Sequence, residues 1–311
     1  MNEKKLVSGL VSIAIPAYKK KWLKEAIVSA LSQDYPNIEV IIVDDHSPQN
    51  LREVVVPFLI DKRVSYYYNE INLGGKSVTN NWNKCLEYVN GEFFVLLCDD
   101  DVLMPNFVSE LLKLAHKYPK CNIFHGERVL YHENTYSFES MESWPEYESF
   151  VDFQKEKKKV KRKHTITEFL YRSRCIKEKK YIVFPVGYFS DDASILEIVA
   201  TGGIASSQTP LVKIRISDDQ ISSEEKYPIE KTKAAIMYNE WYMNNPMLEV
   251  SQQEIKNSVD WWAYGFFQSA NIINKILILY LVPKFVWPLK QKIILFIKVC
   301  TVSYTHLRAH E

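Results

Sequence analysis

The feature that most constrains the fold is an alternation of short apolar runs with helical patterns between residues 11 and 120. Buried strands are predicted at the apolar runs 11–15, 38–43, 64–68 and 93–98. Helices are predicted where apolar side chains recur at helical spacing, at 23–31, 78–89 and 105–115. Strands that alternate with helices build βαβ units, so the sequence predicts an α/β fold around a parallel sheet.

Composition narrows the class of protein. The 311 residues include 39 lysines and arginines against 38 acidic residues, a balance that does not favour nucleic acid as a partner. A hydrophobic fraction of 47% is ordinary for a globular domain and excludes a disordered chain or a polytopic membrane protein. The five cysteines form no CxxC pair, which favours a reducing compartment. The first ten residues contain no apolar run of signal-peptide length, so we expect a cytoplasmic protein.

Two acidic clusters follow predicted strands. Asp44 and Asp45 come after the run 38–43, and three consecutive aspartates at 99–101 come after the run 93–98. Ligands of open α/β sheets bind at the carboxyl ends of strands, and adjacent acids repel each other unless a cation neutralises them. The pattern predicts a divalent-metal site for a phosphorylated ligand. The alternative is that these acids make turns or caps, with Asp101 capping the helix that Pro105 opens.

The middle of the chain is less regular. The basic run KEKKKVKRK at 155–163 is predicted to be a solvated loop, with contact to an anionic acceptor or a membrane surface as the alternative. Asp191 and Asp192 precede a helical pattern, where a helix N-cap is one interpretation of Asp192. Arg215 alternates outward on a two-faced strand, so it is either exposed or within reach of a pyrophosphate.

The C-terminal part has two apolar segments, 276–287 and 293–299, with lysines around them. The first contains Pro283 and Lys284 and is too short to span a bilayer unaided. Two interpretations of these segments stay open. They form either a pair of helices at a membrane interface or helices packed on the domain. Residues 302–311 match one reading frame of a common sequencing-library transposase adapter, so we expect 301–311 to be read-through rather than part of the fold. An ordinary polar tail is the alternative.

The run VSIAIPAYKKKWLKEAIVSALSQDYPNIEVIIVDDHSP, which begins at Val11, resembles the opening of family 2 glycosyltransferases. The resemblance spans about residues 9–222, and its further motifs are NLGGK at 72–76, NGE at 90–92, LCDDDVLMP at 97–105 and FPVGYFSDD at 184–192. The combination is specific, although each motif alone is weak. It implies the GT-A fold, with a mixed, mostly parallel central sheet flanked by helices. It also implies a catalytic domain at 1–222 and a helical C-terminal region at 223–300, for which peripheral membrane contact stays open.

The resemblance assigns roles to the first two strand ends. Pro16, Ala17 and Tyr18 match the first-strand segment that lines the nucleotide pocket in the family. Asp45, with Asp44 beside it, matches the acid that contacts the base of the donor nucleotide. These five residues are therefore the expected nucleotide-binding residues.

The resemblance also assigns the later acids. Asp99 and Asp100 match the metal-and-diphosphate motif, with Asp100 as the direct metal ligand, Asp101 as a further ligand and Asp99 as a donor contact. Asp192 matches the catalytic base, and Asp191 precedes it where the family often has an acid. The implied reaction is an inverting transfer that depends on Mn²⁺ or Mg²⁺. The implied donor is a nucleotide sugar, most often a UDP-sugar, and the acceptor is a saccharide or lipid-linked saccharide in surface-polysaccharide assembly.

Two departures from the family pattern alter the expected contacts. Cys98 stands where the common acid motif has its first aspartate, so contacts to the ribose are expected to differ. Ser217 stands near the place where many relatives have a histidine after an arginine. A third metal ligand or pyrophosphate contact is therefore not expected from that position.

Other classes of protein share part of the pattern. A metal-dependent nucleotidyl- or phosphotransferase, or a receiver-like phosphoacceptor domain, would also place acids after strands. The segment after Ile15 lacks the glycine-rich basic loop of a nucleotidyltransferase, and residues 9–222 are far longer than a receiver domain. A non-catalytic nucleotide-sugar-binding protein of the same fold would be indicated by loss of the base, and Asp192 is present.

Overall fold

The computed structural model describes residues 5–132, 137–140, 144–158, 163–217, 226–248 and 251–308. The chain divides into two compact units. The first lies within residues 1–183 and 190–218, and the second lies within 184–189 and 219–311. A mixed sheet with flanking helices forms the first unit, and helices form the second.

The elements of the described residues have the following bounds. The strands are β1 (Val7–Ala17), β2 (Ile38–Asp44), β3 (Val64–Tyr68), β4 (Gly91–Leu96), β5 (Val102–Leu103), β6 (Ile123–His132), β7 (Ser137–Ser140), β8 (Tyr147–Glu148), β9 (Phe169–Arg172) and β10 (Ile204–Ile216). The helices of the first unit are α1 (Leu23–Leu31), α2 (Leu51–Val55), α3 (Thr79–Tyr88), α4 (Phe107–Lys117), α5 (Phe150–Lys158), α6 (Ser173–Lys179) and α7 (Ser190–Val199). The helices of the second unit are α8 (Pro228–Asn244), α9 (Gln252–Ser269), α10 (Ile272–Leu281) and α11 (Leu289–Arg308).

The sheet has the strand order β3–β2–β1–β4–β9–β6–β10–β5, with β7 paired to β6 and β8 paired to β10. The strands β1 to β4 pair in parallel, β9 runs antiparallel to β4 and β6, and β6 and β10 are parallel to each other. The predicted α/β fold with a mixed sheet and flanking helices is confirmed. The carboxyl ends of β1, β2 and β4 lie at one edge of the sheet, which is where ligands bind in such folds.

Burial on both faces explains the apolar run in the central strand. Ile13 and Ala14 point to opposite faces of β1, and both are fully buried. Ile15, Leu23 of α1 and Leu111 of α4 belong to the same buried cluster as Ile13. Strands covered by helices on both faces are typically apolar throughout rather than alternating. The core therefore holds the strand ends rigidly at the edge that carries the acids.

The structure moves several predicted boundaries. Strand β4 ends at Leu96, two residues before the predicted end, so the acid triplet lies in the turn that follows it. Helix α4 begins at Phe107 with Asn106 as its N-cap, not at Pro105. The prediction of a solvated loop at 155–163 is wrong for 155–158, where α5 continues because Phe153 is fully buried and anchors the helix. Residues 159–162 lie outside the described residues.

The glycine pair after α7 has a steric reason. Gly202 has a φ of +93°, a backbone conformation that favours glycine. A Cβ there would lie 1.9 Å from the carbonyl oxygen of Lys120. Only glycine satisfies both conditions, so the chain can turn here from α7 into β10.

The helices of the second unit are held by a capping box and by a buried tryptophan. Ser251 and Glu254 form a capping box that begins α9. Trp287 is fully buried, and its Nε1 donates to Oδ1 of Asp260 over 2.5 Å. Across the described ranges, no helix combines the length and hydropathy that crossing a bilayer requires.

Candidate active site

The ends of β1 and β2 are joined at the carboxyl edge of the sheet. The backbone N–H of Asp45 donates to the carbonyl of Ala17 over 2.9 Å. Pro16 and Ala17 are the last residues of β1, and Tyr18 follows with 41% of its surface exposed. The segment predicted to line the nucleotide pocket therefore lies beside the predicted base-contacting acids.

Asp99 fixes the end of the first strand to the turn after β4. Its Oδ2 accepts the backbone N–H groups of Tyr18 and Lys19, each over 2.7 Å. Burial and the charge of Asp100 raise the pKa of Asp99 to about 6, although these two hydrogen bonds act in the opposite direction. Asp99 thus shapes the predicted nucleotide segment, and its contact with a donor stays a prediction.

Asp100 lies against a lysine from the first strand end. The ammonium of Lys19 donates to Oδ2 of Asp100 over 2.8 Å, and the two side chains are 28% and 13% exposed. Burial lowers the pKa of Lys19, whereas the charges of Asp100 and Asp99 raise it. The rise is the larger effect, so the pKa of Lys19 lies above the ordinary value. A permanent positive charge therefore contacts the acid that is predicted to bind the metal.

Asp101 is buried and bonded on both carboxylate oxygens. Oδ2 accepts the hydroxyl of Thr167 over 2.7 Å, and Oδ1 accepts the backbone N–H of Arg215 over 3.1 Å. Burial and the charge of Asp100 raise the pKa of Asp101 to about 8. The interpretation of Asp101 as a helix cap is wrong, because its oxygens bond to the turn before β9 and to β10 instead.

Arg215 is not an exposed surface residue. It is 5% exposed, and its guanidinium donates to the backbone carbonyl of Asp100 over 3.0 Å and to Glu25 over 2.6 Å. The outward direction predicted from its strand is wrong, because α1 and the acidic turn cover this end of β10. Arg215 supports the backbone of the acid triplet.

The turn after β4 contains a set of groups that fits a divalent cation. Cys98, Asp100 and Asp101 offer ligand atoms that all lie within 4.8 Å of one another. Carboxylate oxygens suit Mg²⁺ and Mn²⁺, whereas a thiolate is a softer ligand. Burial and the charge of Asp100 disfavour the charged form of Asp101, and a divalent ion would reverse that preference. Asp100 and Asp101 are therefore the residues that would hold the metal.

Asp44 and Asp45 are almost fully buried and shape the loop beyond β3. The carboxylate of Asp45 accepts Nδ2 of Asn69 and the backbone N–H groups of 73–74, at 2.6–2.9 Å. Asp44 accepts the hydroxyl of Tyr66 over 2.6 Å, and burial together with Asp44 raises the pKa of Tyr66. The two acids are buried beside the loop beyond β3, and their contact with a base stays a prediction.

A second acidic pair lies in the first turn of α7. Asp191 and Asp192 follow Ser190 inside the helix, so Asp192 does not occupy the N-cap position. Lys157 of α5 forms an ion pair with Oδ1 of Asp192, and Nε2 of His164 lies 3.6 Å from the same oxygen. Burial and the charge of Asp192 raise the pKa of Asp191 to about 7, while Lys157 opposes the rise. The pair is therefore poised to exchange a proton near neutral pH.

One short segment contacts both acidic clusters. His164 lies beside Asp192, and Thr167, three residues later, donates to Asp101. A segment of four residues spans at most about 14 Å. The structure thus brings the predicted metal ligands and the predicted base to the two ends of one segment.

A buried charged cluster supports this segment. Glu168 is fully buried and accepts Arg128 over 2.5 Å, and Nε2 of His125 lies 3.0 Å from its other oxygen. Trp144 stacks on His125 with ring centroids 3.8 Å apart. Burial alone would raise the pKa of Glu168, but Arg128 and His125 hold it below the ordinary value. The Glu168 carboxylate is thus ionised and fixed under the two acidic clusters.

Several residues that contact the acids of the site were not predicted from the sequence. Lys19 and Lys157 lie in lysine-rich runs, which resemble ordinary solvated segments. His164 and Thr167 lie in a stretch without apolar periodicity. The Thr-x-x-Glu spacing at 165–168 is a capping-box pattern and could have indicated the ordered turn there.

Sequence comparisons identify relatives for the first unit. A family model described as "Glycosyl transferase family 2" matches residues 12–177, more than half of the chain. The putative colanic acid biosynthesis glycosyl transferase WcaA of Escherichia coli K12 is 40% identical over 111 residues, which cover 35% of this chain and 38% of that protein. The matched segments span between 17% and 38% of the length of such curated relatives.

Structure comparisons extend over more of the chain. TarS from S. aureus in complex with UDP-GlcNAc has a TM-score of 0.65 at 14% identity, covering 89% of this chain and 82% of that chain. Mannosyltransferase PcManGT from Pyrobaculum calidifontis in complex with GDP-Man and Mn²⁺ has a TM-score of 0.55 at 13% identity, covering 83% and 73%. At these identities the likeness shows the fold, which is the GT-A fold.

Proposed function

The chain belongs to glycosyl transferase family 2, and we propose that it transfers a sugar from a nucleotide diphosphate donor to a saccharide or lipid-linked acceptor. One observation carries the proposal: the acids of the turn after β4 and the acidic pair of α7 contact opposite ends of the segment 164–167. A donor diphosphate and an acceptor hydroxyl need these two kinds of group within one site.

The relatives support the finer parts of the proposal. UDP-GlcNAc in the TarS complex supports a UDP-sugar donor, and Mn²⁺ in the PcManGT complex supports a divalent metal. The name of WcaA supports a role in surface-polysaccharide assembly, which we place in the cytoplasm. Tyr18, Asp44 and Asp45 would bind the nucleotide, and Asp99 would hold the strand end against it.

The carboxylates divide the chemistry between leaving group and acceptor. A divalent ion held by Asp100 and Asp101 would offset the charge that builds on the diphosphate leaving group. Asp192 takes the proton from the acceptor hydroxyl as that oxygen bonds to the anomeric carbon. The bond from the anomeric carbon to the diphosphate breaks in the same step, so a single displacement inverts the configuration.

The proposal is tested by identifying the released product. The full chain is incubated with UDP-, GDP- and dTDP-sugars, lipid-linked saccharides and Mn²⁺ or Mg²⁺, and the nucleotide products are separated. Acceptor-dependent release of a nucleoside diphosphate is expected. Release of pyrophosphate or a nucleoside monophosphate would instead indicate nucleotidyl or phosphoryl transfer, and binding without any release would indicate a non-catalytic protein.

The acidic pair of α7 predicts the pH dependence. Asp191 and Asp192 titrate as a coupled pair, and one proton of that pair leaves near pH 7, given the pKa of about 7 for Asp191. The second charge strengthens the base, so kcat/KM is expected to rise with pH through about 7. Lys157→Met removes a positive charge that lowers this pKa, so the midpoint is expected to move to higher pH.

Two variants test whether the shifted midpoint comes from the lost charge of Lys157 or from a general loss of structure. Lys157→Arg keeps the charge and is expected to restore the midpoint. Asp191→Asn removes the titrating partner, and the rise near neutral pH is expected to disappear. An unchanged midpoint in Lys157→Met would contradict the proposed role of the pair.

Lys19 predicts a competition at the metal site. Its ammonium neutralises Asp100, so Lys19→Met is expected to tighten Mn²⁺ binding without nucleotide by about tenfold. Titration followed by the electron paramagnetic resonance of free Mn²⁺ measures the change. Lys20→Met is the matched control, because Lys20 pairs with Glu53 instead, 2.8 Å away. Equal affinities in the two variants would show that Lys19 does not compete for Asp100.

A further inference from the structure

Helix α10 exposes an apolar stripe. The exposed side chains lie at 272, 273, 276, 277 and 280, a spacing that places them on one side of the helix. Ile273 is 71% exposed and Tyr280 is 86% exposed, whereas Ile278 and Leu279 are buried within the unit. The outward side of α10 is thus as apolar as its packed side.

The following residues continue this exposure. Phe285 is 55% exposed and Leu289 is 67% exposed. Leu289 begins α11, and further exposed apolar side chains among the residues of that helix whose burial is described are Ile293, Ile294, Phe296 and Ile297. We call the exposed apolar residues of 272–297 the C-terminal apolar face. Its extent far exceeds the single exposed apolar residues that are normal on a protein surface.

The charge of this region has one sign. Residues 261–300 contain five lysines but no arginine, aspartate or glutamate. Since the whole chain has a net charge of +1, the remaining residues carry a net charge of −4. Lys284, Lys290 and Lys298 are exposed among the apolar residues. Burial and the charge of Lys284 lower the pKa of Lys292, as expected where basic groups crowd without acids.

We propose that the C-terminal apolar face binds the surface of an anionic lipid bilayer. Apolar side chains on one side of a helix enter the boundary between head groups and acyl chains, and flanking lysines pair with anionic head groups. A second copy of the chain suits the face less well, because it would place two acid-free basic surfaces against each other. The contact is interfacial and does not depend on the proposed catalytic chemistry.

Vesicle flotation tests the proposal with the full chain. Vesicles of phosphatidylcholine alone are compared with vesicles of equal parts phosphatidylcholine and phosphatidylglycerol. We expect binding to the anionic vesicles that weakens with added salt, because screening shortens the reach of the lysine charges. Each lysine near an anionic surface strengthens binding about fivefold, so Lys284→Ser with Lys290→Ser is expected to weaken it about 25-fold.

Matched pairs of variants separate the face from the rest of the surface. Ile273→Ser with Tyr280→Ser is expected to weaken vesicle binding about tenfold or more. Ile60→Ser with Ile71→Ser is its control, because these residues are 91% and 66% exposed in the first unit. Lys62→Ser with Lys120→Ser is the control for charge. Both control pairs are expected to bind as the unaltered chain does.

Three outcomes would overturn the proposal. Failure to bind anionic vesicles would do so, as would equal losses in the face and control variants. The third outcome is measured by light scattering. If the unaltered chain is a dimer and the variant with Ile273→Ser and Tyr280→Ser is a monomer, the face binds a second copy of the chain instead. Circular dichroism of every variant verifies that a loss of binding is not a loss of folding.

Discussion

Asp192→Asn is expected to lower kcat by two to four orders of magnitude while nucleotide binding stays within a factor of two. The size follows from the usual contribution of a positioned general base. Asparagine has nearly the same shape as aspartate but cannot accept the acceptor proton. The side chain of Asp192 is 23% exposed, so an acceptor hydroxyl can reach it beside Lys157.

The neighbouring acid provides the control for that experiment. Asp191→Asn leaves Asp192 and its ion pair in place, so a much smaller loss of kcat is expected. Steady-state kinetics with a fixed donor and acceptor, together with calorimetric titration of the nucleotide, measure both quantities. If Asp191→Asn abolished turnover and Asp192→Asn did not, the two roles would be exchanged. If both variants stayed active, the base would lie elsewhere.

Arg128→Met is expected to produce the largest loss of stability, about 3–5 kcal/mol, because it leaves the Glu168 carboxylate buried without its strongest partner. A loss of that size lowers the melting temperature by about 10 °C in a domain of this length. Arg63→Met is the matched control. Arg63 pairs with Asp61 at the surface, 2.8 Å away, and surface ion pairs contribute about 1 kcal/mol or less.

The pH dependence identifies the cause of that loss. In the unaltered chain the pKa of Glu168 is lowered, so its contribution is present above the ordinary pKa of glutamate and is lost as pH falls through the folded value. Without Arg128, burial is expected to raise the pKa, so protonation relieves the isolated charge as pH falls. The deficit of Arg128→Met should therefore be smaller at pH 5 than at pH 8. An equal deficit at both values would point to lost packing rather than to an isolated charge.

The apolar runs in the sequence predicted the buried strands and the acids that follow them. The runs 38–43 and 93–98 are apolar because strands covered on both faces must be, and the acids that follow them lie at the strand ends for the same reason. The sequence was thus enough to predict the parallel half of the sheet. It also predicted that Asp44, Asp100 and Asp192 lie near the ends of strands or helices. The family resemblance then attached roles to those positions.

The partners of these acids could not be predicted in that way. Lys19 meets Asp100 across 81 positions of the chain, and Arg215 meets Glu25 across 190. The first pair joins the ends of the parallel strands β1 and β4, and the second joins β10 to α1. Contacts between elements so far apart along the chain leave no periodic signal in the sequence. Lys157 lies in a basic run whose charge suggested solvent, whereas in the structure it belongs to α5, which buries Phe153, and pairs with Asp192.

Thermal unfolding with nucleotides measures directly whether the acids at the strand ends form the proposed metal-dependent nucleotide-sugar site. The full chain is compared with Asp100→Ala in the presence of UDP, GDP, dTDP and their sugars, with and without Mn²⁺. A ligand at one hundred times its Kd stabilises the folded state by about 2.7 kcal/mol, which is readily measured. We expect a shift with one nucleotide family that requires the metal and is absent in Asp100→Ala. No shift with any nucleotide from a folded protein, or an equal shift in Asp100→Ala, would contradict it.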